Sequence, residues 1–178
     1  MKQVKWFARD FNFTSHQNIF PSIIERLAGT PARLEEKLNA IAANLLTMRI
    51  DETWTIKENI GHLIDLEPLW QGRLDDILSG KTELRHTDLE NTKTRLANHD
   101  ITLTEELLKN FRKIRSQTIP ELEKLSEEQI FKSSLHPRLK TPMRTMDLFL
   151  FVADHDDHHL ARISEIVKTL TLLKYRPG

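Results

Sequence analysis

Leucine and isoleucine recur three or four residues apart along most of this chain, and that spacing limits the fold more than any other feature of the sequence. Residues so spaced share one face of a helix, whereas a half-buried strand needs strict alternation. No segment reads as a strand, and glycine is scarce. Phe20, Ile23, Ile24 and Leu27 open a first stripe that Leu34, Leu38, Ile41 and Leu45 continue beyond Gly29-Thr30-Pro31. Thr30 can cap a fresh start with Pro31 at the first helical position, so this stretch reads either as a kinked helix or as two pieces. Thr55 and Glu58 form the T-x-x-E capping pattern of a second helix, which runs to about Leu78, before Gly80, with a kink expected at Pro68. Residues 81–100 are polar and read as a long crossover that can hold some helix. A third helix follows from about Thr104 to Leu125, bent near Pro120, then a loop over 126–140. Thr141-Pro142 is expected to open a last helix that continues to about Leu170. The fold class is therefore all-α, a four-helix bundle with its long connection between helices 2 and 3. Trp6, Phe7, Phe11 and Phe13 lack a helical period, so residues 1–14 are expected to form an arm packed across the bundle.

At 178 residues the chain has the size of one domain, 1–178, able to bury about two thirds of the surface its unfolded state exposes without a disulfide or structural metal. It holds no cysteine, which removes cysteine-ligated zinc, iron–sulfur clusters and a thiol nucleophile of its own. Basic and acidic residues balance at 26 each, which argues against nucleic acid or an anionic membrane as partner. Apolar runs such as Leu148 to Ala153 fall far short of the ~20 residues that cross a bilayer. The opening residues mix Lys2, Lys5, Arg9 and Asp10 with aromatics and lack the apolar stretch of a signal peptide, so a cytoplasmic location is expected.

The histidines carry the chemistry. On the last helix Leu148, Val152, Ile163, Ile166, Val167 and Leu170 define a buried arc. His159 lies on it and His155 at its edge, while His158 falls to the side, toward the rim, and Asp154, Asp157 and Glu165 point roughly the other way. Two histidines four apart stand one above the other and can converge on one cation at about 2.0–2.1 Å for zinc. A histidine on an apolar face is ordinarily a core residue bonded to a carbonyl, but two in one stripe compete for such partners. On the second helix His62 sits just past the arc of Ile60, Leu63, Ile64, Leu66, Trp70, Leu74 and Ile77, where it either edges the core or adds a third imidazole. Three neutral ligands leave the full charge of a dication available, which is the logic of a catalytic rather than a structural site. Zinc, nickel, manganese and iron all accept such nitrogens and the number of imidazoles does not choose between them; one ion per chain is expected, zinc or nickel ahead of manganese or iron.

Several other polar residues can join this group. Glu58, one turn before His62, is explained by its cap. Asp65 points outward. Glu67 falls inside the apolar arc and is a candidate catalytic base or partner of a ligand, and Asp156 also faces the buried side; either can instead pair with a lysine or arginine. Arg162, one turn beyond His158 and His159, is a candidate for binding an anionic small-molecule substrate, or extends to solvent. His16, His86 and His99 lie in polar stretches and read as surface residues, whereas His136, in the last loop, can reach the mouth of a pocket.

W-T-I-K-E-N-I-G-H-L (Trp54 to Leu63), F-V-A-D-H-D-D-H-H-L-A-R-I (Phe151 to Ile163) and F-P-S-I-I-E-R-L-A-G-T-P-A-R-L (Phe20 to Leu34) together resemble the DinB-like superfamily, which includes the YfiT-type proteins labelled metal-dependent hydrolases. The resemblance implies an up-down-down-up bundle, usually a homodimer, with a divalent cation on three histidines. Carried over residue by residue, these are His62, His155 and His159. Lys140 stands where many relatives have glycine, and Arg162 where many have glutamine. Family members of known activity include S-transferases and isomerases that use a low-molecular-weight thiol. The resemblance thus implies an enzyme whose cation activates water or the thiol of a small cosubstrate; the alternative is a non-catalytic, stress-associated bundle that binds metal or a small ligand.

Overall fold

The computed structural model describes residues 4–13 and 15–174, so Met1–Gln3 and Thr14 of the expected arm lie outside the described residues. Its helices are α1 (Phe20–Asn39), α2 (Ile56–Leu78), α3 (Thr92–Leu96), α4 (Thr104–Glu123), α5 (Glu127–Phe131) and α6 (Thr145–Lys174). Two three-residue strands, β1 (Ser133–Leu135) and β2 (Pro142–Arg144), form an antiparallel pair. The four long helices make an up-down-down-up bundle in which α1 and α2 each pack against both α4 and α6. A crossover longer than a tight turn is what lets α4 lie beside α1.

Pro31 does not divide the first helix: α1 is continuous to Asn39, and Thr30 sits inside it with its hydroxyl donating to Arg26 O at 3.0 Å instead of capping a second start. A proline inside a helix leaves the carbonyl four residues back without its usual donor. Here that carbonyl is Leu27 O, and Arg115 Nη1 donates to it from α4 at 3.2 Å. The apolar stripe outlasts the helix, because residues 43–45, holding Leu45, form a separate 3₁₀ turn. In α2 the expected cap is present in both directions, Glu58 N donating to Thr55 Oγ1 at 3.0 Å and Thr55 N to Glu58 Oε2 at 2.8 Å.

The last helix starts later than expected. Residues 142–144 pair with 133–135 instead, and Pro142 takes the end of the ladder, where its missing N–H is tolerated. Asp147 then accepts from Arg144 N at 3.0 Å, serving the first turn of α6 as Glu58 serves α2. The loop expected over 126–140 also contains α5, opened by a capping box of Ser126 and Gln129. The crossover holds α3 and a 3₁₀ turn at 99–101, both packed on α2. Trp6, Phe11 and Phe13 of the arm pack on the core, and Arg144 donates to the carbonyls of Phe13 and Ser15.

The core falls into two apolar clusters, one around Phe20, Leu27, Trp70, Leu122 and Val152, the other around Leu34, Ile60, Leu63, Phe111 and Ile163. Between them lies a polar layer to which every long helix contributes. Glu67 of α2 and Asp156 of α6 close on Arg115 of α4, which also reaches Leu27 O of α1.

Candidate metal centre

α2 supplies His62 and α6 supplies His155 and His159, and one ring nitrogen of each lies within 4.8 Å of the other two. All three are buried, 4–6% exposed. The α6 pair follows from its spacing, since residues one turn apart project alike, and their Nε2 atoms stand 3.3 Å apart.

Hydrogen bonds to the other ring nitrogens decide which face each imidazole offers. Asn59 donates through Nδ2 to Thr55 O at 2.7 Å, so its Oδ1 is an acceptor and takes the Nδ1 proton of His159 at 2.8 Å. Thr94 donates its hydroxyl to Asp65 Oδ2 at 3.0 Å and therefore accepts from His62 Nδ1 at 3.1 Å. Both rings thus present an Nε2 lone pair to the shared space, held by partners of the kind that orient metal-binding histidines. His155 Nδ1 is buried with no hydrogen-bond partner among the described residues. Burial lowers the His62 pKa to about 4 and holds His155 and His159 well below the usual histidine value, aided in each case by neighbouring histidines. Neutral, converging, oriented imidazoles are what a divalent ion requires, and the donor set fits one.

The cluster opens on a cavity of about 730 Å³. Trp6, Trp54, Trp70 and Phe151 wall it, with Arg162 and the buried Arg73 and His136 also in its lining. Trp54 lies against His62 at 4.6 Å between ring centres, and Trp6 meets His155 edge-on at 5.0 Å.

Arg162 lines this cavity, as the sequence suggests, with Glu165 on its Nη1 at 2.5 Å. His136 lines it too, but as a buried residue. His158 is likewise buried rather than at the rim, and burial, then Arg9 and Arg162, lowers its pKa to about 4. Glu67 is not brought to the cavity; both its oxygens accept from Arg115 at 2.9 Å, and Oε1 also from Thr118 at 2.6 Å. Asp156 is held by the same guanidinium. Two surface expectations need correction, because the crossover folds over the outer side of α2. It covers Asp65 and buries His99, whose Nε2 stands 2.8 Å from Asp65 Oδ2. The His99 ring lies so close to Gly61 that a Cβ there would sit 2.1 Å from it. His16 and His86 are exposed as expected.

Sequence reasoning missed Asn59, Thr94 and Arg73. Asn59 had a signal, a polar side chain one turn before Leu63 on the buried arc, whereas Thr94 comes from 32 residues beyond His62 and had none. Lys140 adopts φ 54°, the left-handed region that glycine enters most easily.

The sequence profile of the DinB superfamily matches residues 26–163. No curated sequence matches significantly. Among solved structures the fold is similar to that of YfiT from Bacillus subtilis, described as a probable metal-dependent hydrolase with an unusual four-helix bundle topology. The TM-score is 0.78 at 21% identity, covering 92% of this chain and 94% of that one.

Proposed function

The chain belongs to the DinB superfamily, and on that premise we propose that it is a metal-dependent enzyme acting on a small molecule, with His62, His155 and His159 holding one divalent cation per chain. The observation that carries this reading is the convergence of three buried imidazoles on the wall of a roomy cavity, two with their outer nitrogens already engaged. A dication on neutral ligands supplies a Lewis acid that makes a water, or the thiol of a small cosubstrate, acidic enough to act as a nucleophile near neutral pH.

The chain's own residues do the rest. Asn59 and Thr94 fix the tautomers of His159 and His62 and keep their Nε2 lone pairs inward. The tryptophans and Phe151 give an apolar wall that limits water and suits a carbon-rich substrate body. Arg162 lines the same cavity with its charge already met by Glu165. Glu67 acts as a positioning residue: through Arg115 and Asp156 it ties α2 to α6 next to His155. With no cysteine in the chain, thiol transfer would draw its sulfur from the cosubstrate.

Elemental analysis of protein purified without a histidine tag tests the site, with one divalent ion per chain expected and its loss in His155→Ala. Full stoichiometry in that variant would overturn the ligand assignment. Metal-loaded protein is then screened on esters, amides, epoxides and thiol acceptors, with and without added thiol. Saturable turnover lost in His159→Ala supports an enzyme, its thiol dependence separates transfer from hydrolysis, and no turnover in any arm leaves a binding protein.

A further inference from the structure

The histidine cluster leaves one strongly charged group of the cavity unexplained. Arg73 of α2 lines it, yet the residue is only 1% exposed. Its Nε donates to Arg85 O at 3.1 Å, its Nη1 stands 3.2 Å from His136 Nε2, and its Nη2 is buried with no partner among the described residues. Of the two acids that follow it, Asp75 is exposed and the buried Asp76 is spent elsewhere: one Asp76 oxygen accepts from Lys81 Nζ and Arg85 Nη2, the other from Arg85 N and Nε. Trp70 lies 5.5 Å from the guanidinium and Asp76 acts on it only through space, so among the described residues no carboxylate is hydrogen-bonded to this buried cation, a costly thing to keep in a fold.

His136 adds to the deficit. Its Nδ1 accepts from the backbone N–H groups of Arg138 and Leu139 at 3.2 and 3.1 Å, so its ring proton is on Nε2. That proton faces Arg73 Nη1, another donor. Two donors side by side, with a third on Nη2, call for an acceptor that carries negative charge. We propose that Arg73 and His136 form an oxyanion subsite at this part of the cavity, and that the small molecule bound here carries a carboxylate or phosphate group. Arg138, also in the lining, adds positive charge to the same region, with Phe7 of the arm packed 5.2 Å from its guanidinium. Arg162 differs, since Glu165 already meets its charge. A buried water could fill the hydrogen bonds of Arg73 but not balance its charge. The inference rests on the cavity being the substrate site proposed above, and it adds a chemical class.

The three tryptophans of the chain all line the cavity, so their fluorescence reports occupancy directly. Phenylacetate, phenyl phosphate and the neutral phenylacetamide are titrated into metal-free protein held in chelator, which removes any contribution from an anion on the cation. At least one oxyanion is expected to bind about tenfold or more tightly than the amide, the worth of a charge-assisted hydrogen bond, and the tighter of the two names the group. That preference should fall to about twofold or less in Arg73→Met, which should also melt no lower than wild type because it removes an unpaired charge. Equal binding of amide and oxyanions in wild type, or an undiminished preference in Arg73→Met, overturns the subsite. A preference that appears only after metal loading also overturns it while leaving the metal reading intact; a preference in metal-free protein that never takes up an ion does the reverse. If Arg73→Met fails to fold, Arg73→Gln is read the same way, and failure of both shows Arg73 to be structural and overturns the proposal.

Discussion

Arg115 and Arg73 lie at similar depth in the same bundle, 2% and 1% exposed, and their surroundings differ in kind. A guanidinium has five N–H groups, and at Arg115 all five are used, on both oxygens of Glu67, both of Asp156 and the carbonyl of Leu27. Burial alone would lower its pKa, but the two carboxylates outweigh that and raise it. At Arg73 burial dominates, Arg138 and Arg85 add to it against Asp76, and the pKa falls to about 10. One polar layer is completed from within by all four long helices, while among the described residues the cavity keeps a buried guanidinium with no carboxylate bonded to it, a His155 Nδ1 without a partner, and converging ring nitrogens. The chain completes one buried cation from its own residues and leaves the other incomplete, and the proposed binding region rests on that contrast.

The largest effect should come from the completed layer. Arg115→Leu leaves two buried carboxylates facing each other and is expected to cost about 3–5 kcal/mol in urea unfolding, against no loss for Arg73→Met. Similar losses for the two would erase the contrast.

Acid should act on the cavity next. The folded pKa values of His62, His136 and His158, about 4, lie below the ordinary 6.5 because burial disfavours the charged ring. Between those values the unfolded chain binds the extra protons, so metal-free protein is fully stable above that window and loses stability as the pH falls through it. Each of these histidines contributes a loss of up to about 1.4 kcal/mol per pH unit. A flat profile of unfolding free energy from pH 7 to 5 would contradict the burial of neutral rings.

Zinc at a hundred times its Kd should stabilise the wild type by about 2.7 kcal/mol, seen as a higher Tm, and leave His155→Ala unmoved. An equal shift in both would place the ion elsewhere. The smallest expected effect is that of Thr94→Val, which removes the acceptor for His62 Nδ1 and should weaken the ion by about 10–100-fold in chelator competition. Unchanged affinity would mean that the crossover does not support the site.

The bundle was legible because Leu and Ile spacing and the Thr55–Glu58 cap are local signals, and the i, i+4 pair of His155 and His159 is equally local. Local pattern failed where the deciding partner came from far along the chain. Asp65 and His99 look like surface residues until the crossover covers them, and Glu67 looks like a spare carboxylate until Arg115 arrives from α4. The β1–β2 pair escaped because three residues are too few to show alternation.

Pro31 and Arg115 belong to one device. The imino acid strips a rung from its own helix, and the side chain of another helix steps onto the carbonyl so exposed. An alanine at position 31 would restore the rung and crowd the visitor, whereas losing the visitor would strand an oxygen in the dry interior. The two positions are therefore linked through a backbone atom, a dependence that shows in neither residue by itself.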